Sequence, residues 1–137
     1  MLRRESRERA RALQLLYAWD TQGQPDFGPV AENILQEHGR RGREWEGAER
    51  TARRVVGGVQ GLDAQIAEVA DAWRLERLGV IEKNILRLGL MELEAGATPA
   101  PVVIDEALRL AHWFAGDKAP PFVNGVLDTL ARRLGRL

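Results

Sequence analysis

Five arginines stand within the first eleven residues, Arg3, Arg4, Arg7, Arg9 and Arg11, against Glu5 and Glu8. A guanidinium is planar, always charged and able to donate two parallel bonds, which suits it to phosphate. If residues 3–20 form a helix, Arg3, Arg7 and Arg11 recur at intervals of four and make a stripe. Arg4 lies beside that row, and Arg9 points elsewhere. The stripe reads either as a polyanion-binding face or as a solvated Arg/Glu surface, and the residues alone leave both open. A second group surrounds the loop Ala115–Pro121. Lys118 sits in the loop, Phe114 and Phe122 flank it, and a helix start follows. Helix starts expose unpaired N–H groups at a positive dipole end, which favours phosphate. Aromatic faces suit unstacked bases, and Asn124 offers a donor and an acceptor to a base edge. The competing reading makes Phe122 core and Asn124-Gly125 a helix irregularity.

Catalysis needs a constellation, and the residues do not assemble one. The chain has no cysteine, Ser6 is its one serine, and His38 and His112 are its only histidines. That excludes a disulfide framework and thiolate chemistry, and it leaves too few histidines for a histidine-rich metal site. No phosphate-binding glycine loop, dinucleotide fingerprint or paired metal-ligand spacing occurs. Asp105, Glu106 and Asp117 are carboxylates without an evident catalytic partner. A binding protein without cofactor or metal is the expectation. No apolar run is long enough to span a bilayer, and the N-terminus lacks an apolar signal core, so a cytoplasmic protein is expected.

The net charge of zero hides an asymmetry. Residues 40–54 hold six arginines against three glutamates, and Arg132, Arg133 and Arg136 lie in the tail. Residues 60–130 are acidic, with eleven Asp and Glu against six Lys and Arg. Clustered basic groups are the footprint of a polyanion partner. Arginine outnumbers lysine eighteen to two, a bias that codon usage could also produce.

The elements that must position these groups read as helices throughout. At 137 residues the chain is expected to be a single domain with its own core. Helix 3–20 turns Ala10, Leu13, Leu16 and Tyr17 inward. Residues 21–29 read as a loop, 30–38 as a short helix with Ile34 and Leu35 inward, and 39–47 as a Gly/Arg-rich connection. A helix over 48–60 carries Val55, Val56 and Val59, with Gly57-Gly58 suggesting a close helix approach. Leu62, Ile66, Val69, Ala70 and Trp73 form the next amphipathic stripe. Leu78 to Glu94 has the widest apolar arc and is expected at the centre of a bundle, with Lys83, Arg87 and Glu94 on its polar side. Glu82 and Glu92 break that pattern and call for a partner inside the fold or on another molecule. After the turn 97–101 come helix 102–114 and a last helix for which Pro121 suits the first turn. Phe122, Val126, Leu127, Leu130 and Leu134 are its core candidates. The expectation is an all-α fold of about seven helices and no sheet.

Four stretches carry a family resemblance: RARALQLLYAWD (Arg9–Asp20), IEKNILRLGLMEL (Ile81–Leu93), PAPVVIDEALRLAHWF (Pro99–Phe114) and FVNGVLD (Phe122–Asp128). They resemble, in order, the motifs of the NusB family of transcription antitermination factors. The resemblance implies two small packed helical bundles. It implies binding to the boxA element of nascent RNA together with ribosomal protein S10 (NusE), within an RNA polymerase antitermination complex that serves rRNA operons. It assigns RNA contacts to Arg3, Arg4, Arg7, Arg9 and Arg11, to Tyr17, and to Phe114, Lys118, Phe122 and Asn124. It assigns Glu82 to the S10 surface. Pro121 stands where many members carry a basic residue, and Asp105 where Asn is common. The same fold also occurs as a domain of an rRNA cytosine methyltransferase, so a regulatory or interaction module of such a system is the alternative. Monomer and homodimer are both left open.

Overall fold

A computed structural model describes residues 3–38, 42–70 and 78–137. The described residues form seven α-helices and no strand. The chain divides into two compact units, Met1–Gly57 and Gly58–Leu137.

The first unit holds α1 (Arg4–Thr21), α2 (Phe27–Glu37) and α3 (Gly42–Gly57). α1 packs mainly on α3, and α2 touches both. Ala12, Leu13, Leu15, Leu16 and Trp19 of α1 are buried against Trp45, Ala48, Ala52 and Val55 of α3 and Phe27, Val30 and Ala31 of α2. Removing these apolar faces from water is what stabilises the unit. The turn after α1 is closed by Trp19, whose Nε1–H donates to the Pro25 carbonyl at 2.9 Å.

Four expectations fail here. Tyr17 is 46% exposed and not part of the core. Helix α2 begins at Phe27, inside the stretch expected to be loop. Pro29 does not break it, because the N–H groups of a first turn have no intrahelical partner to lose. Helix α3 begins at Gly42, within the expected 39–47 connection, because Trp45 is buried there and Glu44 is ion-paired. The close approach expected at Gly57-Gly58 lies elsewhere: Gly57 ends α3 in open space, whereas a Cβ at Gly47 would meet the Glu8 carboxylate at 2.6 Å.

The second unit holds α4 (Val59–Val69), α5 (Val80–Ala95), α6 (Ala100–Phe114) and α7 (Ala119–Arg133). α5 is its centre, in contact with α4, α6 and α7. Every residue from Asn84 to Met91 is buried, as the wide apolar arc requires. Gly79 caps its start, and Gly96, in the left-handed region at φ 71°, ends it. Arg136 also closes that end, donating to the carbonyls of Leu93 (3.1 Å) and Glu94 (3.2 Å). Pro101, Pro120 and Pro121 stand in the first turns of α6 and α7.

The polar side expected for α5 is only partly solvated. Arg87 is buried and locked to Asp63 of α4 by two bonds, Nε to Oδ1 at 2.7 Å and Nη2 to Oδ2 at 2.8 Å. Asn84 completes the network, accepting from Arg87 Nη1 at 2.9 Å and donating to the Val80 carbonyl at 2.8 Å. Bidentate geometry and full hydrogen bonding make such a buried charge tolerable. The tail arginines are likewise engaged: Arg132 with Asp128, Arg133 with Glu68, and Arg136 with α5. The tail is therefore not a free basic patch. Trp73 lies outside the described residues.

Candidate nucleic-acid interface

The arginine stripe is real and is organised by one acid. Glu44 of α3 reaches α1 and bridges two successive turns. Its Oε1 accepts from Arg7 Nε at 2.7 Å and its Oε2 from Arg11 Nε at 3.0 Å. Both arginines keep about two-fifths of their side chains exposed, and Glu44 only 21%. The acid thus lies beneath and the cations outside. The Arg7 hydrogen bond is the main cause that holds the Glu44 carboxyl below its ordinary pKa; burial opposes it, while the Arg11 bond and both positive charges add to it.

The cluster continues through aromatic groups. The Arg11 guanidinium lies 5.1 Å from the Trp45 ring centre, and the exposed His38 ring stacks on Trp45 with centroids 5.1 Å apart. His38 Nε2 and Gln14 Nε2 stand 3.3 Å apart, tying the end of α2 to α1. Arg3 is exposed just before the helix, and Arg4 pairs with Glu8 at 3.6 Å. With a step of about 100° per residue, Tyr17 falls on the same side of α1 as Arg3 and Arg7, and its ring is on the surface. Arg9 is half-buried and projects from nearly the opposite side.

The Gly and Arg content of residues 39–47 points to a connection and hides the helical placement of Glu44. A signal was present. Trp45, Ala48, Ala52 and Val55 recur at helical spacing, and extending the stripe back to Trp45 places Glu44 on a helix facing α1.

In the second unit, Lys118 caps α7, and Lys118, Pro121, Phe122, Gly125, Val126 and Thr129 of that region line a hollow of about 460 Å³ with Val69 of α4. Phe122 is half-buried, neither the core residue of one reading nor a fully open ring. Lys118 and Phe122 are one turn apart and share this hollow. Phe114, 47% exposed, ends α6 with its ring edge-on to Trp113 at 6.2 Å. Phe114 and Asn124 do not line the hollow. Asn124 is exposed and, two residues from Phe122, projects from another side of α7.

Glu82 occupies the first turn of α5 and is half-buried. Its Oε1 lies 3.0 Å from where a Cβ on Gly79 would stand. The carboxylate folds back over the helix start, where the dipole favours negative charge. That accounts for its departure from the apolar pattern without a cation. Among the described residues there is no group of three or more His, Asp or Glu placed to hold a metal ion. Nor is any described helix long and apolar enough to cross a membrane.

The NusB family model matches residues 6–132. The chain is 39% identical over 134 residues to the transcription antitermination protein NusB of Solibacter usitatus, covering 93% of this chain and 88% of that one. It is 37% identical to the NusB of Nitratiruptor sp., covering 92% and 90%. Among solved structures it is similar to T. maritima NusB, with TM-score 0.81, 30% identity, and coverage of 96% of this chain and 92% of that one. It is also similar to a crystal structure of antitermination factors NusB and NusE in complex with double-stranded RNA, with TM-score 0.84, 28% identity, and coverage of 97% and 99%.

Proposed function

The chain belongs to the NusB family, and from that premise we propose that it is a non-catalytic, cytoplasmic transcription antitermination factor. It binds a boxA-type single strand of nascent RNA together with ribosomal protein S10 (NusE), and the pair joins the RNA polymerase antitermination complex. The observation that carries the RNA reading is the pairing of Arg7 and Arg11 on one carboxylate, which sets two half-exposed guanidinium groups on consecutive turns of α1. Two such forks along a helix are suited to successive phosphates of a strand. Arg3, Arg4 and Tyr17 extend this face, and Arg9 contributes from another side of α1. The hollow of Lys118 and Phe122 offers a cation beside an aromatic ring, the pairing that single strands use. Phe114 and Asn124 supply further RNA contacts outside the hollow. Glu82, at the start of α5, is the S10-facing acid.

The test is fluorescence anisotropy with a labelled boxA-like single strand, a scrambled strand and a duplex of the same sequence. Each is measured with and without S10 at two salt concentrations. The expected result is a preference for the boxA-like single strand, tightened by S10 and weakened by salt as arginine–phosphate contacts release counterions. Arg7→Ala and Arg9→Ala should weaken it without unfolding the chain. Weak binding blind to sequence and to S10 would overturn the reading.

A further inference from the structure

We infer that Glu44 is a positioning residue for RNA, one that raises affinity and selectivity although its own charge repels phosphate. The inference rests on the reading of the α1 stripe as an RNA-contacting face and goes beyond it in assigning the acid beneath that face a role.

The argument begins with geometry. Arg7 and Arg11 are one turn apart, about 6 Å along the axis. One carboxylate spans them by giving a different oxygen to each Nε, at 2.7 and 3.0 Å. Glu44 is anchored on α3, because its neighbour Trp45 is buried and meets both the Arg11 guanidinium and the His38 ring. Three residues on, α3 rests against Glu8 of α1 at Gly47. Long arginine side chains lose rotamer freedom when they engage a ligand. In this protein part of that ordering is already made in the free state, because each guanidinium is held at its Nε. Two like charges a turn apart would also repel, and the shared anion removes that strain.

Two effects of Glu44 on RNA binding therefore oppose each other. Simple electrostatics says that an anion near the backbone weakens binding, so its removal should tighten the complex. Pre-ordering says that its removal should loosen the complex and blunt its selectivity. The ordering effect is the larger here, since Glu44 is the more buried partner and its charge is already neutralised by two cations within 3.0 Å.

The sign of the change decides the matter. Anisotropy titrations of the full chain, with and without S10, compare wild type, Glu44→Gln, Glu44→Asp and Arg7→Ala on boxA-like and scrambled strands. Glu44→Gln should weaken boxA binding about tenfold and narrow the gap to the scrambled strand, a loss of the size of one charge-assisted hydrogen bond. Glu44→Asp keeps the charge but shortens the reach, and it should weaken binding too. Unchanged or tighter binding by Glu44→Gln overturns the inference while leaving the RNA reading intact, provided Arg7→Ala still weakens binding. A wild type without selectivity, together with an Arg7→Ala that binds equally, overturns both. A readout independent of folding variants uses the wild-type protein. The Nε–H signals of Arg7 and Arg11 should be protected from exchange before RNA is added and stay so afterwards. Protection that arises only with RNA overturns the inference.

Discussion

Gly89 of α5 and Leu127 of α7 meet with no room for a methyl group between them. A Cβ on Gly89 would stand 2.9 Å from Leu127 Cδ1 and 3.0 Å from Cδ2. Leu127 is fully buried and has no open side to turn toward. This contact sets how closely α7 approaches the central helix, and α7 carries Lys118 and Phe122 to the hollow.

Gly89→Ala is therefore expected to destabilise the fold by about 2 kcal/mol, the cost of overpacking exceeding the gain of about 1 kcal/mol in helix propensity. Gly61, exposed in α4 with open space where its Cβ would be, makes the control. Gly61→Ala should stabilise by about 0.5–1 kcal/mol. Urea titrations of both variants check the pair, and equal stability of Gly89→Ala and wild type would refute the spacing role.

The Arg87–Asp63 pair should behave unlike the surface pairs. Asp63→Ala leaves a nearly fully buried guanidinium without its carboxylate, and it is expected to cost about 3 kcal/mol. Asp128→Ala, which breaks an exposed pair with Arg132, should change stability by less than about 0.5 kcal/mol. Chemical denaturation separates the two, and comparable losses would remove the distinction.

Acid should loosen α1 from α3. The folded-state pKa of Glu44 lies below its unfolded value, first through the Arg7 bond. Its contribution is thus fully present above the unfolded pKa and is lost as pH falls through the folded one. Wild type is expected to lose stability across the acidic carboxylate range, and Glu44→Gln to lose less over the same range. Parallel pH profiles of thermal midpoint would count against this.

Glu82→Lys is expected to weaken S10 binding about tenfold by reversing a charge at the proposed contact, while RNA binding by the free protein persists. The substitution also places a cation at a helix start, a loss of up to about 1 kcal/mol, so circular dichroism should accompany the titration. Unaltered S10 affinity would leave Glu82 a helix-start residue only.

Much of the fold was readable from periodicity. The arc from Ile85 to Leu93 marked α5 as central, and glycines at 79 and 96 marked its ends. The arginine row was readable as well, because a spacing of four needs no tertiary knowledge. Composition misled where glycine, proline and arginine gathered. Pro29 falls in the expected loop and Gly42 in the expected connection, yet each stands in the first turn of a helix, where a missing or unpaired N–H costs little. Tyr17 was placed inward because it follows Leu13 by four, but α1 is covered on its other side and the ring faces solvent.

What the sequence determined by itself is the class of the molecule: helices from the 3.6-residue period, and the family from four motifs in order. What only the tertiary structure decided is which charges meet. Arg87, on the expected polar side of α5, is buried on Asp63; the tail arginines pair with Asp128, Glu68 and α5; Arg7 and Arg11, two members of one row, share Glu44. The physical reason is range. Periodicity is set by neighbours three and four residues away, whereas Arg7 and Glu44 lie 37 residues apart, and their meeting depends on how α1 and α3 bury their apolar faces together.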